Sequence, residues 1–250
     1  MKLCGDIHIN IKRFSKQNNQ NAIDTFTVSK TNLLQALTEI KATSDASLTF
    51  RCGCKSGVCG SCAVRVNGVE QLACKTVINE NDLIEPLKNR AVIKDLVVDV
   101  SHETLLIKNS KAFLQTNSEI KISENDVKLI DTQSNCILCN ACYSSCPVYE
   151  VNKEFLGPFA LTRALRYVND KKVLDSSSII DSIQDKGIWD CTLCSACTFV
   201  CPQGIDPKAD ILQLQNISVQ KGYENPNFAN FDSDMDFGMQ DMGFDPNAGF

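Results

Sequence analysis

Residues 5 to 14 alternate apolar and polar positions through Ile7, Ile9 and Ile11, the two-residue period of a half-buried strand. A second strand is expected near Asp24 to Val28. The period then lengthens. Leu33, Leu34, Leu37 and Ile40 share one helical face, and Thr31 is placed to cap that helix. Two short runs, AVRV and VEQL, flank Asn67-Gly68, the dipeptide of a two-residue type I′ turn, and predict a hairpin. A late apolar strand is expected from Ala91 to Val100. Strand, strand, helix, loop, hairpin and late strand is the order of a β-grasp domain, expected over residues 1–105. Helical spacing follows. Leu161, Ala164, Leu165 and Val168 describe an amphipathic helix, and Asp206 caps another that opens with Pro207 and runs through Ile211 and Leu214. The expected fold class is α+β, with an α-helical domain over 106–221 behind the β-grasp domain.

Residues 222–250 keep neither period. They hold six acids and no Lys or Arg, and they predict an acidic flexible tail. The formal charge of −5 disfavours nucleic acid as a partner. No stretch reaches the roughly 18 to 20 continuous apolar residues of a membrane span, and the first residues lack a signal-peptide core. A soluble chain is expected, with membrane attachment supplied by another subunit.

The 14 cysteines change this picture most, because twelve fall into three runs. The first is Cys54-x4-Cys59-x2-Cys62-x11-Cys74, the plant-type 2Fe-2S spacing. The second is Cys136-x2-Cys139-x2-Cys142-x3-Cys146-Pro147, and the third is Cys191-x2-Cys194-x2-Cys197-x3-Cys201-Pro202. Both have the bacterial two-cluster spacing, in which the cysteine before proline ligates the other cluster. The runs should therefore interlock. Cys136, Cys139, Cys142 and Cys201 are assigned to one 4Fe-4S cluster, and Cys191, Cys194, Cys197 and Cys146 to a second. Zinc would use cysteine pairs and leave a third cysteine unexplained, and disulfides do not suit thiols this crowded in a chain without an export signal. In the first loop, Gly57 and Gly60 let the backbone curl until amide N–H groups face sulfur. Cys4 and Cys52 remain as spare thiols, although Cys52, two residues before a ligand, is also a candidate for a redox or substitute-ligand role.

No catalytic residue is visible, because the acids show no paired-carboxylate arrangement and no nucleophile stands beside a base. Chemistry on carbon is therefore expected in a partner. His8 and His102 are read as surface or hairpin-end histidines, Trp189 as a packing lid over a cluster, and Arg163 and Arg166 as a solvated or subunit-facing helix edge.

The segments LTFRCGCKSGVCGSCAVRVNG, LACKTVI, IEPLKNRAVIKDLVVDVS, CILCNACYSSCPVY, LGPFALTRALRYVND and CPQGIDP resemble the iron-sulfur subunit of succinate dehydrogenase and fumarate reductase over about residues 5 to 215. The resemblance implies a β-grasp 2Fe-2S ferredoxin domain, an α-helical ferredoxin domain with two further clusters, and electron transfer between a partner flavoprotein carrying FAD and quinone at a membrane-anchor subunit. It implies a peripheral place on the cytoplasmic face of the inner membrane, or on the periplasmic face if the chain is co-exported with a signal-bearing partner. Respiration and the tricarboxylic acid cycle follow as its setting.

The chain departs from the family in two ways. Usual members carry a non-cysteine residue where this chain has Cys194 and so hold a 3Fe-4S centre; a thiolate there predicts a second 4Fe-4S cluster instead. The family's quinone-pocket Ser, Trp and His correspond to Val148, Val151 and Thr192, which puts that pocket and the usual anchor in doubt. The segment WDCTLCSACTFVCP also resembles subunits that feed heterodisulfide reductases and thiol-dependent fumarate reductases, which suggests a cysteine-rich peripheral anchor. The alternative function is therefore an electron-transfer subunit of a thiol-dependent, heterodisulfide-reductase-like or other flavin dehydrogenase complex. A metal-stabilised interaction protein is the third reading, favoured only by the acidic tail.

Overall fold

The computed structural model describes residues 6–15, 20–115 and 119–226; Cys4 and residues 227–250 of the acidic tail lie outside that range. Strands β1 (Ile7–Ser15) and β2 (Gln20–Val28) form an antiparallel hairpin with Ile9 opposite Phe26. Helix α1 (Leu33–Thr43) follows. Strands β3 (Ala63–Val66), β4 (Val69–Leu72), β5 (Asp82–Glu85), β6 (Val92–Lys94) and β7 (Val97–Val98) complete one sheet of order β4-β3-β5-β1-β6-β7, with β2 paired to β1. The β5 strand runs parallel to β1, with Ile9 opposite Asp82. Leu33, Leu34, Ala36, Leu37 and Ile40 of α1 are buried with Ile9, Ile11, Val64, Val66 and Ile84 of the sheet. Each buried Leu or Ile contributes about 1.5–3 kcal/mol, and the same core takes in Cys62 with Cys74 packed against it.

The β3–β4 hairpin has the expected bounds, and its turn residues Asn67 and Gly68 have φ of 50° and 85°, the left-handed pair a type I′ turn demands. Two local expectations are corrected. The cap of α1 is Asn32, not Thr31: its side chain accepts from the Gln35 N–H at 3.2 Å and donates to the Cys74 carbonyl at 3.1 Å. The apolar run Ala91–Val100 is not one strand. It folds into the β6–β7 hairpin because Asp95, at φ 46°, turns its buried carboxylate onto Arg13 Nε (3.0 Å) and the backbone N–H groups of Thr49 (2.8 Å) and Phe14 (3.3 Å).

Helices α2 (His102–Asn109), α3 (Glu124–Lys128), α4 (Asp131–Ser134), α5 (Ala141–Ser144), α6 (Pro147–Val151), α7 (Pro158–Val168), α8 (Ser177–Ser182), α9 (Ala196–Phe199) and α10 (Pro207–Gln220) make up the remainder. Helix α2 runs across residue 105, and its Leu106 packs in the core of this half. That core joins α7 and α10 through Phe159, Leu161, Leu165, Ile211 and Leu214. The cap of α10 is as expected, since the Asp206 carboxylate accepts from the Ala209 N–H at 3.1 Å. A buried carboxylate, Asp210, ties three helices together: it accepts from Thr162 Oγ1 (2.7 Å) on α7 and Gln133 Nε2 (2.8 Å) on α4. Among the described residues no helix is long and apolar enough to cross a membrane.

The halves meet along a polar seam. Ser144 Oγ donates to Glu70 Oε1 at 2.7 Å and accepts from the Lys88 N–H at 2.7 Å, while Asn89 Nδ2 donates to the Tyr143 carbonyl at 2.9 Å. Gln203 Nε2 reaches back to the Gly57 carbonyl at 2.9 Å.

Candidate iron-sulfur centres

The first run lies in an irregular loop between α1 and β3, with its fourth cysteine just past β4. Cys54 is exposed, Cys59 and Cys74 are half-buried, and Cys62 is buried. Sulfur here is surrounded by donors. The N–H groups of Ser56 and Val58 point at Cys54 Sγ, and that of Cys54 points at Cys59 Sγ, each at 3.4 Å. Bonds from Ser56 first, then from Val58, pull the Cys54 thiol down to about 6, whereas burial pushes Cys62 up to about 11. The backbone at Gly57 (φ 85°) and Gly60 (φ 72°) is left-handed. Gly60 also meets a second constraint that spacing does not reveal: a Cβ there would lie 2.7 Å from the Ile137 carbonyl oxygen and 3.0 Å from Cys139 Cα. The two cluster loops touch at this glycine.

The other two runs interdigitate in space. One cavity is lined by Cys136, Cys139, Cys142 and Cys201 together with Phe159 and Thr162, and a second by Cys146, Cys191, Cys194 and Cys197 together with Phe155 and Ile211. Each draws three cysteines from one run and the last from the other. The two loops also share a backbone conformation. Leu138 and Leu193 have φ of 53° and 56°, and Asn140 and Ser195 have 64° and 68°. Left-handed leucine is uncommon, and its cost here is offset by turning amides toward sulfur. The Leu193 N–H faces Cys191 Sγ at 3.4 Å, and the Tyr149 N–H at the start of α6 faces Cys146 Sγ at 3.4 Å. Nothing in the residue type signals this at Leu138 or Leu193.

Burial pushes Cys139 and Cys197 up to about 12 and Cys142 well above the ordinary thiol range. Thiols raised in this way by burial are protonated at neutral pH, so a metal that takes them as thiolates would displace those protons. Among the described residues no three His, Cys, Asp or Glu converge tightly enough for one metal ion. Four thiols lining one cavity, three from one run and the fourth from the other, make the donor set of a 4Fe-4S cluster of the two-cluster ferredoxin kind.

Some residues outside the runs are placed differently from expectation. His102 is no hairpin end: it opens α2 among Tyr143 (ring centroids 5.5 Å, edge-on), Tyr149 and Phe159, with both ring nitrogens buried and unpartnered. Burial, with the nearby Arg90 charge, pushes it down to about 4. The Arg163 and Arg166 helix edge is not simply solvated. Arg163 Nε is buried without a hydrogen-bond partner, and the Arg163 charge acts on Cys136; Arg166 pairs with Asp170 at 2.6 Å and lies over the Tyr167 ring. His8 is a surface residue, paired with Glu80 at 2.9 Å. Trp189 is buried in a short turn before Cys191, its Nε1 donating to Gln184 Oε1 at 2.9 Å. Val148 and Thr192 line the second cavity, Val151 stands 86% exposed, and Cys52 is exposed.

With this geometry in hand, similarity to known proteins is specific. A family model described as a 2Fe-2S iron-sulfur cluster binding domain matches residues 8–104, and one described as a 4Fe-4S dicluster domain matches residues 132–205. The mitochondrial succinate dehydrogenase [ubiquinone] iron-sulfur subunit 3 of Arabidopsis thaliana is 36% identical over 197 residues, covering 74% of this chain and 64% of its own length. The fumarate reductase iron-sulfur subunit of Haemophilus influenzae is 35% identical over 205 residues, covering 74% and 80%. The 8-methylmenaquinol:fumarate reductase iron-sulfur subunit of Wolinella succinogenes is 34% identical over 231 residues, covering 85% and 72%. A chain of the Mycobacterium smegmatis Sdh1 complex in the apo form superposes with a TM-score of 0.75 at 24% identity, over 88% of this chain and 98% of that one, and supports the fold.

Proposed function

The chain belongs to the family of iron-sulfur subunits of succinate dehydrogenases and fumarate reductases, and from that premise we propose that it conducts electrons between a flavoprotein subunit carrying FAD and a membrane-anchor subunit. Its complex would oxidise succinate with quinone or reduce fumarate with quinol. When bound, iron-sulfur clusters supply one-electron couples that need no proton donor from the chain. The protein's share is to hold them close together and dry. Cys54, Cys59, Cys62 and Cys74 would hold the 2Fe-2S cluster, Cys136, Cys139, Cys142 and Cys201 a central 4Fe-4S cluster, and Cys146, Cys191, Cys194 and Cys197 a second. The contact of Gly60 with the loop of Cys139 brings the first two sites together across the domain seam. The exposed loop of Cys54 and Val58 would face the flavoprotein, and the cavity of Cys194 would face the anchor.

One observation carries the choice of cluster at the far end. Cys194 lines the same cavity as Cys146, Cys191 and Cys197, so four thiols are available where a 3Fe-4S centre needs three. Val148 and Thr192 in that cavity, and exposed Val151, offer none of the side chains of the family's usual quinone pocket, which supports a cysteine-rich peripheral anchor with quinone reached indirectly. A peripheral position on the cytoplasmic face of the inner membrane fits this arrangement. The relatives named are succinate dehydrogenase and fumarate reductase subunits, and they do not favour the thiol-dependent or heterodisulfide-reductase-like alternative.

The test is iron and acid-labile sulfide analysis of anaerobic protein, expected at about ten each per chain for one 2Fe-2S and two 4Fe-4S clusters. Cys194→Ser should lower iron by about one, produce the spectrum of a 3Fe-4S centre and slow natural-acceptor turnover more than dye-linked turnover. An unchanged spectrum and unchanged turnover in that variant would remove Cys194 from the ligand set.

A further inference from the structure

A separate cavity opens between the two domains, lined by Arg51, Cys59, Leu96, Glu103, Cys139 and Asn140 among others. It lies beside both the first cluster loop and the central one. Glu103 sits in the first turn of α2, half-buried, and its carboxylate oxygen Oε1 accepts from Asn140 Nδ2 at 2.5 Å. The same Nδ2 donates to the Leu138 carbonyl at 3.2 Å. Asn140 and Leu138 are the two left-handed residues of the central loop, so one carboxylate fastens the segment that carries Cys136, Cys139 and Cys142. The matching position in the other run is Ser195, which has no carboxylate partner among the described residues; the acid bonded to that run is Asp206, which accepts from Thr198 Oγ1 at 2.6 Å, beyond the loop's left-handed residues. A carboxylate is therefore bonded directly to the left-handed turn of the central loop.

We propose that Glu103 is a positioning residue for the central loop and that its carboxylate lowers the reduction potential of the cluster held there. This rests on the ligand sets proposed above. Net charge close to a cluster shifts its potential, because each added electron must overcome the field already present. Burial raises the Glu103 carboxyl above its ordinary value, and the Asn140 amide with the charges of Arg51, which shares the cavity, and Arg90 act the other way, in favour of the ionised form. The partly desolvated carboxylate keeps more of its field than an exposed charge would.

The experiment is a potentiometric titration of the anaerobically purified complex, followed by electron paramagnetic resonance, comparing wild type with Glu103→Gln. The amide keeps an acceptor for Asn140 and removes the charge. At one fixed solution potential the reduced-to-oxidised ratio of the central cluster should rise about tenfold, which is 59 mV upward for a one-electron couple, while the other clusters stay in place. Glu80→Gln, a surface change beside His8, should move nothing. An assembled central cluster with an unshifted potential in Glu103→Gln overturns the proposal and leaves the ligand sets standing. If the amide variant fails to assemble, Glu103→Asp decides: a near wild-type ratio with the charge retained supports it, and a tenfold rise despite that charge overturns it. Wild-type complex without a central 4Fe-4S signal would overturn both the ligand assignment and this inference.

Discussion

The two halves of the chain hold their cysteines in opposite ways. In the β-grasp half, three of the proposed ligands sit in one loop and the fourth just past the next hairpin, against a sheet-and-helix core that takes in Cys62 and has Cys74 packed on it. In the helical half each cavity combines cysteines from runs about fifty residues apart in sequence, and α5 and α9, which follow the ligand loops, have four residues each. Helices that short do not hold themselves together. The difference teaches that the first site would depend on one local core and the other two on segments that cluster binding would hold together. The cysteines of the first run lie beside one core, whereas each of the other two cavities brings together cysteines from separate segments of one domain.

The strongest way to break this comparison is Cys201→Ser. It removes from the central site the single ligand supplied by the third run, so both the site and the link between runs are lost. The expected outcome is loss of more than about half of the bound iron, with the visible spectrum of the 2Fe-2S cluster retained. Equal loss from both halves would show that the β-grasp site depends on the helical one. Iron analysis with circular dichroism in the visible range separates these outcomes.

A smaller effect should follow from Gly60→Ala, which tests the seam rather than either half. The added Cβ would strike the Ile137 carbonyl and Cys139 Cα, and alanine is strained at φ 72°. A cost of about 1–3 kcal/mol is expected, through displacement of one loop from the other. Both domains should keep their clusters while electron transfer between them slows, as rapid-freeze spectroscopy would report. Unchanged transfer would mean that the Gly60 contact does not set the path.

The smallest expected effect lies inside the β-grasp half. Asn32→Ala deletes the cap of α1 and its bond to the Cys74 carbonyl, at about 1 kcal/mol. Because that half rests on its own core, denaturant unfolding should show the loss while the iron content of all sites stays constant. Iron loss from the first site would mean that its cap and its ligand strand are one unit.

Local chemistry made a large part of this protein legible from sequence. Thiol spacing grouped the cysteines that share each cavity of the helical half, Asn67-Gly68 named a turn whose geometry its residues require, and Asp206-Pro207 marked a helix start by capping that reaches only three residues. These features depend on neighbours in the chain, so the chain alone carries them. The tertiary structure decided what depends on distant partners. Asp95 breaks an apolar run because Arg13 and Thr49 supply donors from elsewhere in the fold, and His102 is enclosed by rings from α5, α6 and α7. Leu138 and Leu193 take a backbone conformation that no leucine advertises, because amides there serve sulfur. Gly60 is likewise required by a loop almost eighty residues away as well as by its own turn. The sequence determined, by spacing alone, which thiols are the candidates to hold iron; packing between the halves decided how closely the first loop meets the second, and which charges stand beside them.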